Sequence, residues 1–157
     1  MVYGAIDEKD EKGYAKIGKV FEAINNKQVR YNWLITDIYY VPRKIEEYCS
    51  DKGYCWLTGE ELSQIVREDD QQWAWAVLSG FEKGIALSEV LKYPQPYADG
   101  YRGFWINPVS IQHPLATIEI VAWDSTLTLF FSKQEGLTQE FLNFFPFSED
   151  ILTYNST

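Results

Sequence analysis

The sequence predicts an α+β fold in a single domain, with a mainly antiparallel or mixed β-sheet and helices packed mostly on one side. Residues 117–133 carry the strongest β pattern, because two strand-like halves flank a tight reversal at Asp124-Ser125. Strands joined by so short a turn must be antiparallel. Helix-like and strand-like segments alternate along the rest of the chain, and 157 residues with 46% hydrophobic content suit one core for residues 1–157.

The first third of the chain predicts alternating strands and helices. Apolar side chains recur at helical spacing between residues 14 and 24, and Pro42 favours the first turn of a helix behind it. In order, the predicted elements are a strand at 2–6, a helix at 14–24, a strand at 29–36, a helix at 43–49 and a short apolar segment at 54–57. Residues 38–41 either extend the preceding strand or form a short strand of their own.

The segment Thr58-Gly59-Glu60-Glu61 has the pattern of a capping box. In that motif the Thr58 hydroxyl accepts a hydrogen bond from the Glu61 amide, and the Glu61 carboxylate accepts one from the Thr58 amide. The sequence therefore predicts a helix over about 59–68, with Leu62, Ile65 and Val66 on its buried face.

Beyond this helix, large and small side chains alternate over residues 72–78, which predicts a strand that Gly80 ends. The Tyr- and Pro-rich residues 93–101 predict a loop. The remaining predicted elements are a short helix within 82–93 capped by Ser88, a strand at 104–106, the hairpin 117–133, a helix at 137–145 that Pro146 stops, and a last turn through Leu152 capped by Ser148.

The hairpin is interpreted as scaffold. Asp and Ser are ordinary turn residues, so Asp124 and Ser125 need no functional explanation; because they depart from Asn-Gly, the connection can extend to four residues. The side chains expected to form the core against helix 137–145 are Ile118, Ile120, Leu127, Leu129 and Phe131.

The charge of the chain restricts its partners. With 14 basic and 23 acidic residues the formal net charge is -9, whereas nucleic acids and anionic membranes attract Lys/Arg-rich surfaces. We therefore expect no nucleic-acid and no membrane partner, and a basic protein partner instead. No signal peptide or membrane-length apolar run is recognisable in the sequence, so we expect a cytoplasmic protein.

The sequence offers little catalytic chemistry. His113 is the single histidine, and with only Cys49 and Cys55 beside it the donors are too few and too scattered for a zinc site. We expect no metal, no cofactor and no catalytic residues. The two cysteines are interpreted as reduced thiols, although a short-range disulfide between them is the alternative.

Two stretches are candidates for binding a partner. Glu68, Asp69 and Asp70 end the predicted helix 59–68, where carboxylates face the negative end of the helix dipole. Local stability does not favour acids there, so a partner would explain them. The second candidate is the loop bearing Tyr97, Tyr101 and Trp105, since Tyr and Trp supply contact area at low entropic cost.

Three segments carry a resemblance: residues 31–35 (Tyr-Asn-Trp-Leu-Ile), 57–62 (Leu-Thr-Gly-Glu-Glu-Leu) and 121–133. In this order they resemble a family of small, uncharacterised bacterial proteins and, more loosely, the acidic immunity proteins encoded beside polymorphic and contact-dependent toxins. The resemblance implies a cytosolic binding protein and brings no catalytic residue with it. We expect a stoichiometric inhibitor of a cognate toxin domain, with a nuclease as one candidate. The alternative is a small hydrolase that uses paired carboxylates or a cysteine.

Overall fold

The computed structural model describes residues 1–8, 16–49 and 51–157. Within these residues seven strands form one antiparallel sheet in the order β3-β2-β4-β5-β6-β1-β7. The strands are β1 (Tyr3–Asp7), β2 (Tyr31–Tyr39), β3 (Cys55–Thr58), β4 (Trp75–Glu82), β5 (Ile118–Trp123), β6 (Leu127–Ser132) and β7 (Glu149–Asp150). The predicted α+β single domain is confirmed, and the sheet is antiparallel rather than mixed.

Six helices accompany the sheet in the described part of the chain. They are α1 (Ile17–Ala23), α2 (Arg43–Cys49), α3 (Gly59–Glu68), α4 (Leu87–Val90), α5 (Glu135–Phe144) and α6 (Ile151–Asn155), with 3₁₀ turns at Lys27–Arg30 and Gly103–Trp105. The predicted helices at 43–49 and 59–68 are confirmed. The predicted start of the first helix, Tyr14, lies outside the described residues.

Several local predictions are wrong. Residues 104–106 are not a strand, because the chain makes a 3₁₀ turn there. Ser88 lies inside α4 rather than capping it. The last helix is capped by Asp150, whose Oδ1 accepts hydrogen bonds from the Leu152 and Thr153 amides, and not by Ser148, whose hydroxyl donates to the Phe145 carbonyl.

The sheet is covered on both faces. On one face, α1, α2, α3 and α5 bury their apolar sides against Trp33, Ile120, Phe130 and neighbouring sheet residues; we call these four helices the helical layer. On the other face, residues 83–117 together with α6 bury Phe104, Val109, Ile151 and other apolar groups; we call this cover the loop layer. Most of the helical residues lie on one side of the sheet, as predicted.

The hairpin side chains are divided between these layers. Ile118 and Ile120 face the helical layer, as predicted, whereas Leu127, Leu129 and Phe131 face the loop layer, where Phe104 stacks on Phe131. The prediction of a single inward face is therefore wrong. The length of the connection decides which face of the sheet each β6 side chain occupies. Trp123 pairs with Leu127, so three residues separate the two strands, and Asp124 and Ser125 have φ angles of 51° and 57°.

Strand β4 begins at Trp75 and continues through Gly80, so the predicted strand at 72–78 starts too early and ends too soon. Gly80 pairs with Trp33 on one side and Ile118 on the other. A Cβ atom at Gly80 would lie 2.2 Å from Ile118 Cγ2 and 3.1 Å from the Trp33 ring. This glycine is present because Ile118 and the Trp33 indole occupy the space that a side chain would need, and not to terminate the strand.

Candidate functional site

The acidic end of α3 lies at the outer edge of the helical layer. Glu68 is exposed and accepts hydrogen bonds from Lys44 and from Gln64 (2.6 Å), and the Lys44 ammonium lowers the pKa of the Glu68 carboxyl. Asp69 caps the helix, with its amide donating to the Ile65 carbonyl at 2.9 Å. Of the three predicted binding residues, Glu68 therefore has side-chain partners within the chain.

Asp70 lies against the first turn of α1. A Cβ atom built on Gly18 would be 2.8 Å from Asp70 Oδ1, which places the carboxylate beside the N-terminal end of that helix. A negative charge is favourable there, because the first amides of a helix carry partial positive charge. At the C-terminus of α3 the same carboxylate would be unfavourable.

A groove runs between α2 and α3 next to this acidic end. Its volume is about 530 Å³ and its lining is Lys44, Glu47, Tyr48, Glu60, Glu61, Gln64, Ile65 and Glu68. Tyr48 is 50% exposed, although it is a large aromatic residue. Lys83 hydrogen-bonds Glu60 and lowers the pKa of the Glu60 carboxyl, and Glu61 completes the capping box with Thr58. The groove thus combines four glutamates with an aromatic side chain.

The predicted aromatic residues belong to the loop layer. Tyr97 is 48% exposed and meets Tyr101 edge to face, with ring centroids 5.3 Å apart. Trp105 is half-buried and contacts the Trp123 ring at 5.8 Å. Since Trp75 packs on Trp123 at 5.2 Å, the aromatic side chains form a continuous chain across this face.

The structure does not bring the two predicted halves of the site together. Glu68, Asp69 and Asp70 lie on the helical layer, while Tyr97, Tyr101 and Trp105 lie on the loop layer across the sheet. A compact partner that covers one set leaves the other exposed. The two stretches are therefore separate candidate surfaces.

A buried carboxyl that the sequence analysis did not single out holds the loop layer to the sheet. Glu119 is 0% exposed on β5, and its Oε2 accepts a hydrogen bond from the Gln112 amide at 3.2 Å. The Gln112 side chain in turn bonds both the amide and the carbonyl of Tyr97, at 3.1 and 2.7 Å. Burial raises the pKa of the Glu119 carboxyl to about 8, so this side chain is neutral at pH 7.

His113 is also an internal anchor. It is 1% exposed; its Nδ1 accepts from the Leu115 amide at 3.1 Å, and its Nε2 lies 2.8 Å from the Val90 carbonyl. These two contacts require the neutral tautomer with hydrogen on Nε2, which donates to Val90. Burial lowers the pKa of the imidazole. The backbone of His113 lies in a loop, while its ring is part of the core, against Phe81.

The two cysteines are joined in a disulfide, so the prediction of reduced thiols is wrong. Cys49 ends α2 and Cys55 begins β3, and the reversal between these elements brings their Cα atoms to 4.5 Å, within the range that a disulfide spans. Sequence separation alone could not reveal this approach. With the sulfurs bonded to each other, neither is available as a nucleophilic thiolate.

Within the described ranges, no group of three or more His, Cys, Asp or Glu side chains is arranged to hold a metal ion. No helix in these same ranges has the length and the apolar character needed to span a bilayer. Comparison of the chain with protein-family models, curated proteins and solved structures gives no match.

Proposed function

We propose that this protein is a stoichiometric inhibitor: an immunity protein that binds and blocks a cognate toxin domain with a basic active-site cleft, such as a nuclease. The observation that supports this proposal best is the acidic outer surface of α2 and α3. Between Arg43 and Asp70 the chain carries eight acidic and four basic residues. Two of the acids, Glu60 and Glu68, are bonded to Lys83 and Lys44, and several others remain exposed.

The groove between α2 and α3 supplies more than charge. Tyr48 offers an exposed aromatic face beside Glu47, and such a face attracts arginine and lysine side chains through cation–π contacts. An acidic surface speeds the encounter with a basic cleft and competes with its negatively charged substrate. Inhibition by occlusion needs no catalytic residue on this chain. We place the protein in the cytoplasm, where it would protect the cell that makes the toxin.

Coexpression with the toxin domain encoded beside its gene tests the proposal directly. We expect the full chain to relieve the growth arrest that the toxin causes and to form a one-to-one complex in size-exclusion chromatography with light scattering. Persistent growth arrest, with both proteins expressed and folded, would refute the proposed function.

Charge reversal locates the surface. Glu47→Lys with Glu60→Lys, or Asp69→Lys with Asp70→Lys, should weaken binding roughly tenfold and flatten its salt dependence, because rim and core charges both steer association. The matched control is Glu89→Lys with Asp99→Lys, which changes net charge equally on the loop layer. If the control weakens binding as much as the helical-layer variants, net charge rather than this surface governs affinity.

The alternative, a small hydrolase, has less support in the geometry. Its thiol candidates are bonded to each other in the disulfide, and of its paired carboxylates Glu61 serves the capping box while Glu60 and Glu68 are bonded to lysines. A panel of ester, phosphodiester and glycoside substrates assayed with the purified chain would revive this alternative if turnover were lost in Glu47→Gln or Glu60→Gln.

A further inference from the structure

Strand β3 lies at one border of the sheet and pairs with β2 on a single side. We call its other side the β3 edge. Among the described residues no further strand lies beyond it, and Trp56 takes part in no backbone hydrogen bond outside the sheet. Tyr54, Trp56 and Thr58 are half-buried, whereas Cys55 and Leu57 are buried. The β3 edge is therefore a place where a further strand can pair.

The capping box shows which backbone groups of β3 point outward. The Thr58 amide donates to Glu61 Oε1 at 2.8 Å, so it is directed away from β2. Pairs that exchange backbone hydrogen bonds alternate with pairs that do not along an antiparallel ladder. Leu57 is therefore bonded to its partner on β2, and Trp56, one residue earlier, is not. The N–H and the C=O of Trp56 thus both point out of the sheet at the β3 edge.

The two faces of the sheet beside the β3 edge differ in character. Cys55 and Leu57 face the helical layer, while Tyr54 and Trp56 face the loop layer. The groove between α2 and α3 adjoins the strand on the helical-layer side, because α3 follows β3 directly and the disulfide from Cys49 holds the end of α2 at the start of β3. The edge therefore has an acidic groove on one face and two aromatic side chains on the other.

The charge around the β3 edge remains negative when every nearby cation is counted. Residues 43–70 together with Lys83 carry eight acidic and five basic side chains, a net charge of -3. This count includes Lys44 and Lys83, which are bonded to Glu68 and Glu60. A second copy of this acidic chain would bring like charge to the edge, whereas a basic strand would be attracted to it. Charge complementarity therefore favours the basic partner as the occupant.

We propose that the β3 edge receives an extended segment of the basic partner, which adds a strand to the sheet by pairing its backbone with Trp56; this inference rests on the proposed function. Successive side chains of a strand point to opposite faces of the sheet. On the helical-layer face they reach Glu47 and Glu60 of the groove, and on the loop-layer face they lie along Tyr54 and Trp56. The bound segment therefore alternates basic and apolar residues, and its backbone supplies hydrogen bonds that do not depend on its sequence.

The test is a titration of the full chain, labelled with ¹⁵N, with a seven-residue peptide that alternates lysine and valine and is blocked at both ends. Two matched control peptides carry N-methyl groups on the valines only or on the lysines only, so all three have the same charge. The valine that pairs with Trp56 directs its own amide toward β3, whereas the lysine amides point away.

We expect the parent and the lysine-methylated peptides to bind with amide shifts confined to residues 44–64, and the valine-methylated peptide to bind at least roughly tenfold more weakly. Equal binding of the two methylated peptides would overturn the proposal, because charge alone would then hold the peptide. Shifts located elsewhere, or no binding of the parent peptide at millimolar concentration, would overturn it as well.

Hydrogen exchange at Trp56 gives a direct readout of the pairing. In the free chain this amide points away from the sheet while the Leu57 amide is bonded to β2, so Trp56 should exchange faster. With the parent peptide at about ten times its Kd, exchange at Trp56 should slow roughly tenfold, while exchange at Leu57 should change little. Unchanged exchange at Trp56 under these conditions would contradict strand pairing.

Trp56→Pro tests the same hydrogen bond from the side of the protein. Proline removes the outward N–H, which an edge strand tolerates, and Trp56→Val is the matched control because it loses the indole but keeps the N–H. We expect the proline variant to bind the parent peptide roughly tenfold more weakly than the valine variant does. Equal binding by the two variants, both shown to be folded by circular dichroism, would contradict the proposal. If the proline variant does not fold, the methylated peptides decide the question on the native chain.

The complex with the toxin separates this inference from the proposed function. If the toxin is neutralised and Trp56→Pro weakens the complex no more than Trp56→Val, strand addition at β3 is wrong and the inhibitor assignment stands. If the parent peptide pairs with Trp56 while the toxin is not neutralised, the inhibitor assignment is wrong and recognition of a basic strand stands.

Discussion

The helical layer and the loop layer cover opposite faces of one sheet by different physical means. In the helical layer, most backbone amides and carbonyls bond within α1, α2, α3 and α5, so the sheet needs to offer only apolar side chains such as Trp33 and Phe130. In the loop layer, residues 83–117 contain only the four-residue α4 and a 3₁₀ turn, and much of their backbone lacks such internal partners.

Polar side chains of the sheet supply those partners. Thr36 donates to the Pro96 carbonyl at 2.7 Å, Asp37 accepts from the Ala98 amide at 2.7 Å, and Glu119 accepts from the Gln112 amide. Buried backbone groups must find hydrogen bonds, so an irregular cover requires polar anchors inside the sheet that a helical cover does not.

The largest expected effect comes from removing one large aromatic residue in each layer. Phe141 and Phe104 are 0% and 1% exposed, and truncating either to alanine should cost about 3–5 kcal/mol of local packing. Phe141→Ala should lower the global free energy of unfolding in urea by that amount. Phe104→Ala should mainly speed amide hydrogen exchange in residues 94–116, because the loop layer has fewer internal hydrogen bonds. Equal loss of global stability would mean that both layers unfold as one unit.

The next largest effect is a dependence of the free energy of unfolding on pH that originates in the loop layer. Because burial raises the pKa of Glu119 to about 8, the folded protein holds a proton that the unfolded chain releases near pH 4.3. This stabilisation is fully present below about pH 4.3 and is lost as pH rises toward 8.

We expect the free energy of unfolding of the native chain to fall by about 2–3 kcal/mol between pH 5 and pH 7 relative to Glu119→Gln, which cannot ionise. Urea titrations at half-unit pH intervals measure this difference. Glu135→Gln, at an exposed glutamate of α5, serves as control and should parallel the native chain. If Glu119→Gln also runs parallel to the native chain, the folded protein does not retain this proton.

The disulfide should contribute less to the free energy of unfolding than the proton on Glu119 does. Six positions separate Cys49 from Cys55, and closing so short a loop stabilises by about 2 kcal/mol in the chain-entropy model. Cys49→Ala with Cys55→Ala should lower the midpoint of urea unfolding accordingly, and dithiothreitol should shift the native chain by a similar amount while leaving the double variant unchanged. If dithiothreitol leaves the unfolding midpoint of the native chain unchanged, the two cysteines do not form a stabilising disulfide.

The smallest effect tests the capping box of the helical layer. The Glu61 amide donates to Thr58 Oγ1 at 3.1 Å, and the Thr58 amide donates to Glu61 Oε1 at 2.8 Å. Thr58→Ala should cost about 1 kcal/mol of unfolding free energy, whereas Thr58→Ser keeps the hydroxyl and should stay within a few tenths. A difference of less than about 0.3 kcal/mol between these two variants would show that the cap is dispensable.

Features governed by neighbouring residues could be predicted from the sequence. The capping box fixed the start of α3, and the β-forming halves of 117–133 identified the antiparallel hairpin. Each of these depends on side chains within a few positions of one another. Element boundaries that depend on contacts distant in the sequence were missed for the same reason. Strand β4 continues through Gly80 because Trp33 and Ile118 occupy the space that a side chain would need there.

The candidate site was less accessible to sequence reasoning. Asp70 was interpreted through α3 alone, since its position beside Gly18 follows only from the packing of α1 on α3. Glu119 lies between two isoleucines that face the helical layer, which suggests a solvent-facing carboxylate when one face of the sheet is assumed to be open. Apolar residues occupy both the odd and the even positions of β5 and β6, and this pattern was the available sign in the sequence that both faces of the sheet are covered.

The two-residue strand β7 closes one border of the sheet, where another copy of this protein could otherwise add a strand. It covers Ala5 and Ile6 of β1 at one border of the sheet with two carboxylates, Glu149 and Asp150. A strand from another molecule that paired with this border would form only a short ladder of backbone hydrogen bonds and would lie beside two negatively charged side chains. At high concentration, self-association through this border should therefore be suppressed.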